Sequence, residues 1–170
     1  MKIPRKLVGN LIEIKLSKGF AYGLCTHDLK TQGQVILLYR DILAAALENP
    51  VTSLADTPYR MAIKLPLRYV LKDSAVRLVG KKALSRSEKI LPKFRSLGLF
   101  GPGEKPKGWW IVEGESETWV EGLTQEMAHY SDDGLYNLEA IEDLFEKDLY
   151  PHSPELLCRG PLTFELSPMQ

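Results

Sequence analysis

Three consecutive strand patterns joined by turn sequences occupy residues 10–39 and place the strongest constraint on the fold. The first strand alternates apolar and polar side chains, as a strand with one buried face does. The connection at 17–19 predicts a hairpin loop in which Gly19 adopts a positive φ. Partner strands are predicted at 20–25 and at 34–39, and the latter is apolar without alternation after Gln34, which is typical of a central strand. The chain therefore begins with an antiparallel meander.

The rest of the chain adds further strand patterns and a short helix. Alternation predicts strands at 60–65 and 76–80, and a hairpin rich in tryptophan at 109–120. We expect at least one of its tryptophans to be buried against Tyr22 or the last helix, because burial of so large a ring is strongly stabilising. A short helix is predicted at 42–48, where Asp41 is a suitable N-cap and alanines follow it. These patterns indicate a chain in which strands outnumber helices.

A final helix is predicted after Asn137, with a buried stripe formed by Leu138, Ile141, Leu144, Phe145 and Leu149. Glycines and prolines indicate an irregular connection over 84–108. We expect an α+β, mostly β protein: a strongly bent antiparallel sheet or partial barrel with the C-terminal helix packed on it. The length predicts a single domain over 1–170, with its core at about 7–149 and an irregular tail at 151–170.

Charge is balanced overall but unevenly distributed. The chain has 22 Lys and Arg against 22 Asp and Glu, which argues against a strongly basic nucleic-acid binder. Residues 1–100 contain 18 basic and 7 acidic residues, whereas residues 101–170 contain 4 and 15. Either the two parts fold together and neutralise each other, or the acidic part faces a basic partner.

The acidic residues that would form such a surface lie on the tryptophan hairpin and on the final helix. We interpret them as a candidate docking surface for a basic protein. The alternative is an ordinary solvated face. The candidate partner-binding residues are Glu113, Glu115, Glu117, Glu121, Glu139, Glu142, Asp143 and Glu146.

The residues that suggest chemistry show no arrangement typical of a catalytic or metal centre. His27 and Asp28 are adjacent, but the chain has no paired-His or Cys-x-x-Cys spacing, so we expect no metal, no cofactor and no catalytic residue. Cys25 and Cys158 fit no disulfide framework and predict reduced thiols in a cytoplasmic protein. No apolar run reaches eighteen residues, so no membrane association is expected. The basic residues of 81–95 predict a solvated loop.

Four segments together form a pattern that a known family shares: VGNLIEI at 8–14, FAYGL at 20–24, VRLVG at 76–80 and WWIV at 109–112. The pattern resembles the immunity protein 26 family of bacterial polymorphic toxin systems. The resemblance covers about residues 7–149. The sequence departs from the family pattern at two positions, with Asn10 where Asp is usual and Lys15 where Pro is usual.

The resemblance implies a mostly β, non-catalytic immunity protein that binds and neutralises a cognate bacterial toxin, often a nuclease. Its partner would be that protein toxin, with no direct contact to nucleic acid. Some relatives are described as phosphotriesterases. This description gives an alternative, a hydrolase of phosphotriester type that uses His27, Asp28 and His129.

Overall fold

The structure, a computed structural model, describes residues 3–166. The chain forms two compact units. The first runs up to Ile90 and also contains Gly134–Asp148, and the second consists of Leu91–Asp133 and the chain from Leu149 onward. Strands account for 34% and helices for 16%, which confirms the α+β, mostly β class. The single domain stays a prediction, because compact units within one chain need not fold independently. No helix in the described part is long and apolar enough to cross a membrane.

The first unit contains a five-stranded antiparallel sheet in which the predicted meander is confirmed. Its strand order is β4-β3-β2-β1-β5, so β1 and β2 are interior strands and are buried along most of their length. The strands are β1 (Asn10–Leu16), β2 (Gly19–Asp28), β3 (Gln34–Tyr39), β4 (Tyr59–Leu65) and β5 (Val76–Lys81).

Two glycines allow β1 and β2 to pack as they do. Gly19 pairs with Leu16 and has a φ of 145°, so the predicted positive φ is confirmed in a loop of two residues. Gly23 lies under neighbouring strands, since a Cβ there would come within 2.5 Å of Ile36 Cγ2 and 3.3 Å of Ile12 Cγ1. Isoleucines of the two neighbouring strands therefore fill the space beside Gly23.

The predicted helix at 42–48 is wrong. Leu43 instead pairs with Phe20 through two backbone hydrogen bonds of 2.8 and 2.9 Å, which place Leu43 beside the start of β2. Alanine favours helix by only a few tenths of a kcal/mol per residue, so tertiary pairing overrides it. The helices that do form nearby are short: α1 (Pro50–Ser53) and α2 (Leu67–Val70).

The final helix, α3 (Leu138–Glu146), belongs to the first unit and is confirmed. The Asn137 side chain accepts a hydrogen bond of 2.8 Å from the backbone N–H three residues later, as an N-cap does. Arg60 of β4 donates to the Leu144 carbonyl at 3.3 Å, and its guanidinium lies 4.7 Å from the centre of the Phe145 ring. Of the predicted stripe the helix buries Ile141, Leu144 and Phe145, whereas Leu138 is half-buried and Leu149 lies beyond the end of the helix.

The second unit contains a four-stranded sheet with the order β8-β7-β6-β9, antiparallel except where β9 joins β6 in parallel. The predicted hairpin is confirmed as β7 and β8. The connection at 84–108 is not wholly irregular, because it contains β6, and the tail contains a short helix, α4 (Pro154–Leu157). The strands are β6 (Phe94–Leu97), β7 (Trp109–Glu113), β8 (Ser116–Val120) and β9 (Ser131–Asp132).

Trp109 forms the centre of the core of the second unit. Its side chain is 2% exposed, and its Nε1 donates to the Pro161 carbonyl at 2.9 Å. The sequence pattern predicts at least one buried tryptophan, which is confirmed. The expected neighbours, Tyr22 or the final helix, are wrong, because Tyr22 belongs to a different cluster. The residues around Trp109 are Ile111, Leu123, Ala128 and Leu157.

Candidate functional site

The eight acidic residues predicted to bind a partner lie in two different units. The acidic hairpin, on and beside β7 and β8 in the second unit, carries Glu113, Glu115, Glu117 and Glu121. The acidic helix, α3 in the first unit, carries Glu139, Glu142, Asp143 and Glu146.

The carboxylates of the acidic helix are mostly engaged by the chain itself. Glu142 Oε1 accepts a hydrogen bond from the Ser17 backbone N–H at 2.7 Å, which lowers the pKa of Glu142. Glu146 pairs with Lys18 at 3.3 Å, and Asp143 pairs at 2.6 Å with a lysine one turn along the helix. The contacts of Glu142 and Glu146 fasten α3 to the loop between β1 and β2, whereas the Asp143 pair lies within the helix.

The carboxylates of the acidic hairpin face solvent more freely. A tight turn joins the two strands, and Gly114 within it has a φ of 63°, which glycine adopts without strain. Glu113 pairs with Lys93 at 3.1 Å, and this hydrogen-bonded carboxylate raises the pKa of Lys93. The other three side chains are exposed, and no ion pair within residues 3–166 engages them: Glu115, Glu117 and Glu121.

Two tryptophans lie exposed on the same hairpin. Trp110 and Trp119 are cross-strand partners, 36% and 40% exposed, with ring centres 5.1 Å apart at 64°. The Trp119 ring covers Gly98 and Gly108, since a Cβ on either would come within 2.6 Å of it. These glycines fix where the ring can lie. Alternation along the strands predicts that some of the tryptophans point outward. It does not show that the Trp119 ring rests on Gly98 and Gly108, because that contact is tertiary.

The adjoining loop adds further apolar surface. Leu99 is fully exposed and Phe100 is about half exposed. Exposed apolar groups that cluster beside charged ones mark interaction surfaces more often than single exposed residues do. The acidic hairpin therefore combines aromatic, aliphatic and carboxylate groups in one part of the second unit.

A buried arginine holds the sheet that carries this hairpin. Arg95 is fully buried. Its Nε donates to Asp132 at 3.0 Å, and its two Nη atoms donate to the carbonyls of Ala128 and Pro151 at 3.0 and 2.7 Å. The guanidinium also lies 5.5 Å from the centre of the Trp109 ring. The expectation of a solvated basic loop is therefore wrong at this residue, because an internal carboxylate and two carbonyls replace its hydration.

The residues of the hydrolase alternative do not belong to one unit. His27 and Asp28 end β2 in the first unit, whereas His129 lies in the second. His27 Nδ1 lies 2.9 Å from Thr26 Oγ1, and its Nε2 lies 3.1 Å from the Lys89 carbonyl. Both ring nitrogens are thus used locally.

Asp28 and His129 have local partners as well. Asp28 accepts hydrogen bonds from the Lys30 N–H at 3.2 Å and from Gln34 Nε2 at 2.9 Å, which closes the turn after β2. His129 lies beside His152, with ring centres 5.1 Å apart. Burial of His152 lowers its pKa, and the neighbouring His129 lowers it further. Within residues 3–166, no group of three or more His, Cys, Asp or Glu side chains is arranged to hold a metal ion.

Cys25 does not form a reactive thiolate pair with His27. The thiol is buried, and burial raises the pKa of Cys25 to about 12, so it stays protonated at neutral pH. Its Sγ lies 4.0 Å from the His27 carbonyl, whereas the imidazole nitrogens have other partners. Cys158 is exposed, and neither cysteine forms a disulfide in the structure.

Two buried glutamates escaped the sequence analysis and tie strands of the first unit together. Glu13 accepts a hydrogen bond from the Tyr22 hydroxyl at 2.6 Å and one from Arg77 Nε at 2.5 Å. Glu88 accepts from the Tyr59 hydroxyl and from Lys82 Nζ. Alternation cannot reveal Glu13, since a charged residue in a strand normally predicts an exposed face, and Glu88 lies in a turn between β5 and β6, where no alternation applies.

The strongest geometric candidate for a functional site is the acidic hairpin with its exposed tryptophan pair. Its side chains are available to a partner, whereas the other charged clusters described above hold the chain to itself. Comparison with protein-family models, with curated proteins and with solved structures finds no match for this chain.

Proposed function

We propose that this protein is a non-catalytic binding protein of the immunity type, which neutralises a cognate bacterial toxin by occluding it. The resemblance to the immunity protein 26 family and a cytoplasmic location belong to this proposal. The observation that supports it best is the acidic hairpin, where exposed Trp110 and Trp119 accompany three exposed carboxylates that form no ion pair within residues 3–166.

Tryptophan is the side chain that most often contributes large binding energies in protein interfaces. A pair of rings held in fixed positions loses little conformational freedom when a partner covers it. The support of Trp119 by Gly98 and Gly108 gives this pre-organisation. The rings would supply affinity, and the surrounding carboxylates would supply selection of a basic partner.

The charge of the hairpin fits a toxin that acts on nucleic acid. A nuclease needs a basic surface to approach the phosphate backbone. An acidic surface attracts the same basic residues, accelerates association and competes with the substrate. This steering is weakened by salt, because exposed charges are screened over about 8 Å at physiological ionic strength.

The test uses a catalytically inactive form of the proposed toxin, which is the protein encoded beside this gene. We expect it to co-purify with the wild-type chain. Reversal of two hairpin charges, Glu115→Lys with Glu121→Lys, should slow association by about tenfold at low salt, because it removes steering. Since both sites are exposed, the free energy of unfolding should change by no more than about 0.5 kcal/mol.

The matched control is Glu48→Lys with Asp56→Lys, which makes the same change of net charge at exposed sites of the first unit. Its association rate should stay within about twofold of the wild-type rate, since steering depends on charge near the contact. An equal slowing in both double variants would mean that only net charge matters. No binding of the neighbouring protein by the wild-type chain would refute the immunity function.

A further inference from the structure

The edge strand of the second sheet exposes backbone hydrogen-bonding groups as well as side chains. β8 is the terminal strand in the order β8-β7-β6-β9, so β7 is its only neighbour in the sheet. All of its residues except Val120 are exposed. An open edge presents unpaired backbone N–H and C=O groups, which another chain can pair with.

The register shows which backbone groups point outward. Glu113 pairs with Ser116 across a two-residue turn, and such a pair exchanges both of its backbone hydrogen bonds. Because hydrogen-bonded and non-hydrogen-bonded pairs alternate, Glu117 and Trp119 form non-hydrogen-bonded pairs with β7. Their N–H and C=O groups therefore point away from β7, whereas those of Thr118 point toward it.

The side chains of the same two residues define one face beside that edge. Glu117 and Trp119 are two positions apart, so they lie on the same face of the sheet, and Trp110 is the cross-strand neighbour of Trp119. A residue of an added strand paired with Trp119 would place its side chain about 5 Å away on this face. Arginine or lysine there would lie over the indole and near the Glu117 carboxylate.

Charge distinguishes between the chains that could occupy the edge. Two copies of this chain joined through β8 would bring Glu115, Glu117 and Glu121 of one copy close to those of the other, and like charges across a strand pair are destabilising. A strand with basic residues at alternate positions meets the opposite situation. The carboxylates thus disfavour self-pairing and favour a basic strand.

We propose that the edge of β8 receives an extended basic segment of the partner protein as an additional strand, bonded to the backbone of Glu117 and Trp119 and read by the Trp110–Trp119 pair. This inference rests on the proposed function, because it describes how the toxin would be held. It specifies the partner's contact segment as extended, with Arg or Lys at every second position.

The backbone test compares Glu117→Pro with Glu117→Ala. Both remove the carboxylate, but only proline removes the outward N–H, and proline is tolerated on an edge strand where that group faces solvent. The probe is a short acetylated and amidated peptide in which arginine alternates with threonine. We expect it to bind wild type, and to bind Glu117→Pro about tenfold more weakly than Glu117→Ala.

A second measurement decides the matter if the proline variant does not fold. The same peptide, N-methylated at the alternate residues that would face β8, should bind the wild-type chain at least about tenfold more weakly. In spectra of isotope-labelled protein, the unmethylated peptide should shift the Glu117 and Trp119 amide signals most. Equal binding by the methylated peptide, or shifts centred elsewhere, would overturn the edge-strand inference.

The ring pair has its own variant. Trp119→Ala should weaken binding of the arginine peptide by about tenfold, while Trp119→Phe should retain part of the affinity because it keeps an aromatic face. A peptide with glutamate in place of arginine should show no saturable binding. Equal affinity for the glutamate and arginine peptides would contradict recognition of a basic strand.

The inactive toxin separates this inference from the proposed function. If wild type, Glu117→Ala and Glu117→Pro bind the toxin equally, the immunity function stands and the edge-strand mode is wrong. If the toxin does not bind but the arginine peptide binds as described, the edge accepts a basic strand and the immunity function is wrong. Self-association through β8, detected as a dimer that Glu117→Pro abolishes, would contradict the choice of partner.

Discussion

The acidic helix and the acidic hairpin carry the same number of candidate binding residues, yet they differ in how the chain uses them. On the helix, Glu142 and Glu146 contact the loop between β1 and β2, so their charges hold the first unit together. On the hairpin, Glu115, Glu117 and Glu121 stand exposed beside two tryptophans. A run of carboxylates therefore indicates a binding surface only where no other residue of the chain neutralises it.

Loss of the buried Arg95 should lower the free energy of unfolding most, because this residue holds the sheet that carries the hairpin. Arg95→Ala leaves the Asp132 carboxylate and two carbonyls without their buried donor, and such a loss costs about 3 to 5 kcal/mol of unfolding free energy. Denaturant unfolding measures this cost. Lys107→Ala, at an exposed position of the same unit, is the control and should change stability by less than about 0.5 kcal/mol. Equal stability of the two variants would mean that Arg95 does not support the sheet.

Glu88 is a buried carboxylate, and its environment differs from those of the acidic helix and the acidic hairpin. Burial alone would raise the pKa of Glu88, but hydrogen bonds from Tyr59, Ser85 and Lys82 outweigh it and hold the pKa at about 2. A depressed pKa stabilises the folded state above the unfolded pKa of about 4.3. That stability is lost as pH falls toward 2.

The loss through Glu88 should approach 3 kcal/mol on the scale of about 1.4 kcal/mol per pKa unit. Chemical denaturation between pH 6 and 2 measures it. Glu88→Gln should be less stable at neutral pH and should lose less stability on acidification than wild type. An unchanged pH profile in Glu88→Gln would show that other carboxylates dominate acid unfolding.

The sheet beneath the acidic helix can be perturbed without a change of charge. Gly23→Val would drive side-chain atoms against Ile36 and Ile12 and should cost about 2 kcal/mol or more through overpacking. Gly134→Val is the matched control, because a Cβ there meets no atom within 4 Å. Thermal and denaturant unfolding compare the two, and a control as destabilised as Gly23→Val would show that valine propensity, not packing, causes the loss.

The smallest expected effect lies within the acidic helix itself. The sequence pattern treats its carboxylates as equally exposed, but only Glu142 accepts a hydrogen bond from the Ser17 backbone. Glu142→Lys should therefore lower the midpoint of thermal unfolding more than Glu139→Lys, which makes the same change of charge at an exposed position of the first turn. Association with the proposed partner should be similar in both variants. Slower association in both would place the helix in the interface.

Local patterns were sufficient for much of the fold. Alternation located the meander, β4, β5 and the tryptophan hairpin, and the Asn137 cap located the start of α3. These signals are short-ranged, because a strand's faces and a helix's cap depend on residues a few positions apart. They failed at 42–48, where an alanine-rich helix pattern yields to the backbone pairing of Leu43 with Phe20.

The candidate site was predictable in its charges but not in its availability. The sequence alone supplies the carboxylates of the hairpin and the helix, and the alternation that sends Trp109 inward and Trp110 outward. It does not show that Arg95 is buried, since its partners Asp132, Ala128 and Pro151 are 33 to 56 positions away.

Local sequence patterns were enough to predict the mostly β class, the meander, the tryptophan hairpin, α3 and the two concentrations of negative charge. The tertiary structure was needed to show that the strands divide into two sheets, that β8 lies at an edge, and that Glu142 and Glu146 contact the loop between β1 and β2. The difference follows from the distance along the chain over which each effect acts. Backbone propensity and periodicity act over a few residues, whereas strand order, burial of a charge and exposure of a ring depend on which distant segments come together.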